Sequence, residues 1–162
     1  MFPLTDRIYA ILSKEQCGML LSSFKNKQED LVLISVNDPD CSFELDDNFL
    51  QEKVYDFIKL YFWDTDPSSS SYPSINQEQA ERLLEFILRY KDKKFLIHCE
   101  AGISRSSAIA HAVHCILDFN GDIRSWSSNI PDSLSYKNGF YPNRHVFLML
   151  VNVYTKHLAS GG

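Results

Sequence analysis

The twelve residues Phe95-Leu96-Ile97-His98-Cys99-Glu100-Ala101-Gly102-Ile103-Ser104-Arg105-Ser106 constrain this chain more than any other segment. Phe95-Leu96-Ile97 is a short, wholly apolar run, as a strand buried on both faces of a parallel sheet requires. From Ser106 the pattern becomes helical and apolar almost all round, through Ile116-Leu117 to Asn120-Gly121. A helix of that kind is buried, and Asn-Gly is a good left-handed C-cap. Between strand and helix lies a tight loop with Cys99 at its base and Arg105 at its end.

This arrangement is an anion site. Amides of Glu100, Ala101, Gly102, Ile103, Ser104 and Arg105 can point inward at the positive end of the helix dipole and hold a phosphate-sized dianion. Gly102 permits positive φ or close backbone approach. Arg105 adds a planar fork that grips two oxygens together. Helix N-termini and cationic neighbours lower a cysteine pKa from about 8.5 to roughly 3.5–7.5, which predicts a thiolate at Cys99. The chain has 4 Cys and 6 Arg in 162 residues. A Cys-x5-Arg pair then arises by chance with probability roughly 0.15, and requiring the Gly and the following Ser lowers this to roughly 6 in 10,000.

The rest of the chain excludes several classes of function. A length of 162 residues and 44% hydrophobic content predict a single domain over 1–162 with a substantial core. The net charge of −5, with no basic cluster beyond Lys91–Lys94, argues against a nucleic-acid or anionic-membrane partner. No apolar run approaches membrane-spanning length, and Met1 is not followed by a basic-then-apolar leader. Cys17, Cys41, Cys99 and Cys115 are unevenly spaced, as reduced thiols of a cytoplasmic protein would be. A monomer is expected.

Periodicity predicts a strand over Arg7–Leu12 and a helix capped by Ser13 and running to Leu21. Leu31–Val36 reads as a buried strand stopped by Asn37-Asp38-Pro39-Asp40. Asp46-Asp47-Asn48 can cap a helix; Val54–Trp63 fits either helix or strand, with a strand favoured over Ile58–Trp63. Ser74 and Gln77 are a candidate capping box for a helix to Arg89, with Ala80, Leu83, Leu84 and Ile87 inward. Helices are expected over Ser106–Phe119, Ile123–Asn129 and Asn143–Lys156. Strands alternating with helices imply an α/β fold, a central and largely parallel sheet flanked by helices. His111, His114 and Cys115 share metal-ligand spacing, but a buried helix face explains them and no metal is expected.

His98-Cys99-Glu100-Ala101-Gly102-Ile103-Ser104-Arg105-Ser106 resembles the His-Cys-x5-Arg-Ser/Thr signature of the cysteine-dependent protein tyrosine phosphatases. The variant is similar to the compact, dual-specificity-type branch, which includes bacterial and phage-type members. The resemblance implies that fold and a two-step hydrolysis of phosphomonoesters through a phosphocysteine at Cys99, with no cofactor and a phosphorylated protein or peptide as substrate. It implies that Ser106 assists expulsion of the thiolate, that His98 orients the loop, and that Asn143 braces it; capping of the last helix explains Asn143 equally well. The family takes its general acid from an Asp about thirty residues before the Cys. Here Asp64 and, as the alternative, Asp66 lie 35 and 33 residues upstream in Trp63-Asp64-Thr65-Asp66-Pro67. Ser68–Ser71 then reads as a pliable lid. Glu100 replaces a lysine of phosphoinositide-selective loops, and an acidic rim repels polyanions. A phospho-binding pseudophosphatase and another loop-cysteine enzyme, a sulfurtransferase or arsenate reductase, remain open at this stage.

Overall fold

The computed structural model describes residues 3–161. Four strands, β1 (Ile8–Ser13), β2 (Gln28–Asn37), β3 (Val54–Tyr61) and β4 (Lys94–Cys99), form one sheet in the order β1-β4-β2-β3, with every pair parallel. Helices α1 (Lys14–Ser23) and α2 (Asp47–Lys53) lie in sequence around β2, and α3 (Gln77–Arg89) joins β3 to β4. After β4 come α4 (Arg105–Phe119), the short α5 (Ile123–Ser127), two 3-10 turns within 132–138, and α6 (Arg144–Ala159). The expected α/β class, with helices flanking a parallel sheet, is the observed one.

Strand periodicity explains the two layers. Val32, Ile34 and Val36 of β2 and Phe95 and Ile97 of β4 share a core with residues of α3, α4 and α6. Leu31 and Leu33, with Leu96, face the other way and pack with Cys17 and Leu21 of α1 and Leu50 of α2. Each fully buried Leu, Ile or Phe contributes about 1.5–3 kcal/mol. Covering both faces therefore requires the continuous apolar runs seen in β2 and β4. Helix α4 runs behind the sheet with Ala108, Ile109, Ala110, Ala112 and Val113 fully buried. It ends at left-handed Asn120 (φ 52°) and Gly121 (φ 76°), as the Asn-Gly pair predicts.

Element boundaries differ from the sequence reading in several places. β2 begins at Gln28 and not Leu31, α1 runs on to Ser23, β3 ends at Tyr61 and not Trp63, and α6 runs on to Ala159. Three further differences have a local cause. β3 begins at Val54, four residues before Ile58, because Val54 is both the extended C-cap of α2 and the first strand residue. The polar Asp56 on this edge strand hides the start from an apolar-run criterion. The capping box of α3 is Asn76 with Gln79, not Ser74 with Gln77. Starting the helix at Gln77 puts Ala80, Leu83, Leu84 and Ile87 inward, and Ile75 packs beneath its start. α5 stops at Ser127, two residues short of Asn129.

The C-terminal ends of all four parallel strands lie at one edge of the sheet, where open α/β folds place their ligands. That edge carries Ser13 and Lys14 at the end of β1, Asn37 and Asp38 at the end of β2, Phe62 to Asp64 after β3, and Cys99 at the end of β4.

Candidate active site

Cys99 ends β4 with its side chain 2% exposed. Its Sγ lies 3.1 Å from Ser106 Oγ and receives the Gly102 amide at 3.3 Å. The loop therefore folds back so that a main-chain donor and the first-turn hydroxyl of α4 both face the sulfur. Gly102 makes that fold-back possible. Its φ is +73°, and a Cβ there would stand 2.4 Å from the Ser13 nitrogen and 2.5 Å from the Leu12 carbonyl carbon. No side chain fits.

Arg105 is 4% exposed; its Nη1 donates to the Phe62 carbonyl and forms an ion pair with Asp38 Oδ1, each at 2.7 Å. These contacts fix the guanidinium plane. Nε is buried and has no partner among the described residues, an unsatisfied donor of the kind that marks a ligand position. Neither holder was legible in the sequence, where Asp38 reads only as part of a strand-stopping turn and Phe62 acts through its backbone.

The loop carrying Asp64 and Asp66 is docked onto the cysteine loop. Asp64 Oδ1 accepts from Ser104 Oγ and from Asn143 Nδ2, both at 2.8 Å. Asn143 also donates to the Thr65 carbonyl at 3.1 Å, and its amide donates to the Ser104 carbonyl at 3.1 Å. Its Oδ1 caps α6 at Val146. Asn143 thus contacts both loops while capping α6. Asp66 stands apart: its Oδ1 accepts from the Ser68 amide and hydroxyl, which holds the carboxyl below its ordinary range. Ser68–Ser71 is less free than a pliable lid. Trp63 N donates to the Pro73 carbonyl and Thr65 Oγ1 to that of Tyr72, closing the 63–73 loop on itself.

Glu100 forms no acidic rim, because Lys14 Nζ lies 2.5 Å from its Oε1. The same ammonium reaches the Phe43 carbonyl at 2.6 Å. Ile103 is exposed, and its carbonyl accepts from Tyr141 N. Ala101 sits at the exposed turn of the loop.

Beneath the loop, sheet register builds a polar relay. Ser35 and His98 are register partners in β2 and β4. His98 Nδ1 lies 3.2 Å from the Cys99 carbonyl, which only accepts, so this nitrogen carries the proton. Nε2 then accepts from Ser35 Oγ at 2.6 Å, and Ser35 accepts from Asn37 Nδ2 at 3.2 Å. Burial pushes His98 from its ordinary 6.5 down to about 4. Between about pH 6.5 and pH 4 the unfolded chain binds a proton here that the native state refuses. Stability therefore falls as pH drops through that window and levels off below it. This one group accounts for roughly 3 kcal/mol; burial lowers His111 and His114 in the same direction. Urea midpoints are expected to fall from pH 7 to pH 4, and to fall less in His98→Gln. An unchanged slope in that variant would assign the acid sensitivity elsewhere.

Cys17, Cys115, His111 and His114 pack into the body of the fold. Burial pushes Cys17 up to about 12 and Cys115 up to about 11, leaving both protonated. His111 Nε2 donates to the Leu134 carbonyl, and His114 lies 3.6 Å from Asp118.

No protein-family model matches this sequence. No curated protein sequence matches it either. Solved structures do share its fold. PTPMT1 in complex with PI(5)P superposes with a TM-score of 0.59 at 12% identity, covering 99% of this chain and 97% of that one. The human tyrosine phosphatase-like serine/threonine/tyrosine-interacting protein gives 0.56 at 18% identity, covering 93% and 91%. Tk-PTP in its active form gives 0.53 at 15% identity, covering 94% of each chain. The chain folds as protein tyrosine phosphatases and dual-specificity phosphatases do. At such identities the likeness establishes that architecture alone.

Proposed function

We propose that this chain acts as one catalytic domain, a metal-independent phosphomonoester hydrolase whose substrate is phosphotyrosine in a protein or peptide, with phosphoserine and phosphothreonine as further substrates. The observation that carries this reading is the convergence on Cys99 Sγ of the Ser106 hydroxyl and the Gly102 amide. Beside them stands an arginine whose Nε is unsatisfied. In the first step the Cys99 thiolate forms the S–P bond as the P–O bond to the leaving group breaks, and Asp64 gives its proton to that oxygen. In the second, water attacks phosphorus, Asp64 takes the proton from water, and the S–P bond breaks with the Ser106 hydroxyl donating to the departing sulfur. Loop amides and Arg105 hold the equatorial oxygens, where developing charge is greatest.

Both donors to Asp64 use Oδ1, so Oδ2 is the oxygen that carries the transferable proton. Asp64→Asn is expected to slow phosphotyrosine hydrolysis by about 10²- to 10⁴-fold. The loss is smaller for an aryl ester with a good leaving group, and the high-pH limb of the phosphoenzyme-forming step disappears. Asp66→Asn changes rates only a few-fold, since its carboxyl is occupied by Ser68. The reverse pattern would move the acid to Asp66.

The activity test is para-nitrophenyl phosphate hydrolysis in EDTA, with and without vanadate. Vanadate-sensitive turnover in EDTA supports the reading. A strict metal requirement contradicts it, and phosphopeptide binding without turnover favours a phospho-binding module, the role closer to the name of the phosphatase-like interacting protein above. A reducing cytosolic setting, a monomeric state, and no nucleic-acid or membrane partner belong to the same proposal.

A further inference from the structure

A cleft of about 400 Å³ opens beside Arg105, walled by Asp38, Asp40, Trp63, Asp64 and Tyr72. It is larger than a phosphate needs and lies in the range that holds a side chain or two. Every charge along the Cys99–Arg105 loop and this wall is accounted for except one. Asp38 pairs with Arg105, Glu100 with Lys14, and Asp64 accepts from Ser104 and Asn143. Asp40 is exposed and makes no hydrogen bond or ion pair among the described residues. Next to it, Trp63 and Tyr72 form a tilted aromatic pair with centroids 5.3 Å apart, and Tyr72 is 62% exposed. The same cleft is lined by Arg105, nine-tenths buried with its Nε unpartnered, so a bound phosphoryl group fixes one end of whatever occupies it.

We propose that Asp40, Trp63 and Tyr72 form a subsite for the Lys or Arg side chain of a residue flanking the phosphotyrosine, an inference that rests on the phosphatase reading above. Arg105, the one cation lining the cleft among the described residues, is already paired with Asp38, so Asp40 is left facing the rest of the substrate without a partner. A free carboxylate beside two aromatic faces attracts a cation by Coulomb and cation–π terms together. The same carboxylate repels a second phosphate, which disfavours inositol polyphosphates and acidic-flanked peptides. Polyanion exclusion is thus assigned to Asp40, not to Glu100, whose charge Lys14 neutralises.

The test compares kcat/KM for two phosphotyrosine peptides that differ only in flanking residues, Lys/Arg against Glu, with para-nitrophenyl phosphate and a soluble inositol polyphosphate as further arms. The basic-flanked peptide is expected to be favoured about five- to tenfold at low salt, narrowing as ionic strength rises. Within Asp40→Asn the ratio collapses toward one, and within Asp40→Lys it inverts, whatever the absolute rates. Tyr72→Ala reduces it partially. Equal turnover of both peptides by the native chain overturns the subsite and leaves the phosphatase reading standing. Preference for the inositol polyphosphate overturns it too. Failure to hydrolyse even para-nitrophenyl phosphate removes the reading on which the subsite rests.

Discussion

Cys99→Ser is expected to lower turnover of para-nitrophenyl phosphate by roughly 10⁴-fold or more while leaving the fold unchanged. A serine hydroxyl is a far weaker nucleophile toward phosphorus than a cysteine sulfur. The replacement is nearly isosteric. Both neighbours of the sulfur, the Ser106 hydroxyl at 3.1 Å and the Gly102 amide at 3.3 Å, bond equally well to oxygen. The checks are steady-state rates on protein freed of contaminating phosphatase, and a urea midpoint equal to that of the parent. Phosphotyrosine peptide binding survives, because Arg105 and the loop amides are untouched. Residual activity near the parent level would end the covalent mechanism.

Arg105→Lys is the second large effect, expected at about 10²- to 10³-fold in kcat/KM. The native side chain does three things from one planar group. Nη1 donates to the Phe62 carbonyl and pairs with Asp38, and Nε is a buried donor without a partner among the described residues. A lysine ammonium is a point donor and cannot hold the two anchors and clamp two phosphate oxygens together. Because Arg105 is 4% exposed, the variant also leaves a buried carbonyl short of a donor and loses some stability. Asp38→Asn separates these contributions. It keeps a hydrogen-bond acceptor for Nη1 but removes the charge, so its loss is smaller than that of the arginine variant. Equal losses in the two variants would mean that Arg105 acts chiefly through its anchors.

The sequence made the local parts of this site legible and hid the parts assembled across it. A strand, a six-residue loop and a helix are contiguous, so Cys99, Gly102, Arg105 and Ser106 were readable from one segment. Apolar runs located β2 and β4 because both strands are covered on two faces. The edge strand β3, half exposed, lost its first four residues to that criterion. What holds Arg105 comes from two other strand ends. Asp38 lies 67 positions away in sequence, and the Phe62 carbonyl is a backbone group that no side-chain pattern reports. Lys14 and Glu100 likewise meet only because β1 and β4 are neighbours in the sheet. The Asp64–Asn143 contact joins residues 79 positions apart. A family resemblance brought both to notice, and only the fold makes their bond visible. The capping box at α3 failed for a simpler reason, since Ser74 and Asn76 are both competent caps. Burial of Ile75 between them selects the second.

The central claim is a phosphoryl group carried on Cys99, and it is tested most directly by rapid quench of the reaction followed by mass analysis of the Cys99 peptide. Ser106→Ala is the variant to use, because losing the hydroxyl 3.1 Å from the sulfur slows expulsion of the thiolate and lets the intermediate accumulate. Stoichiometric phosphorylation at Cys99, appearing in the burst phase and absent from Cys99→Ser, is the predicted result. Turnover with no phosphoryl group on Cys99 at any time, or with the group on another residue, would contradict it.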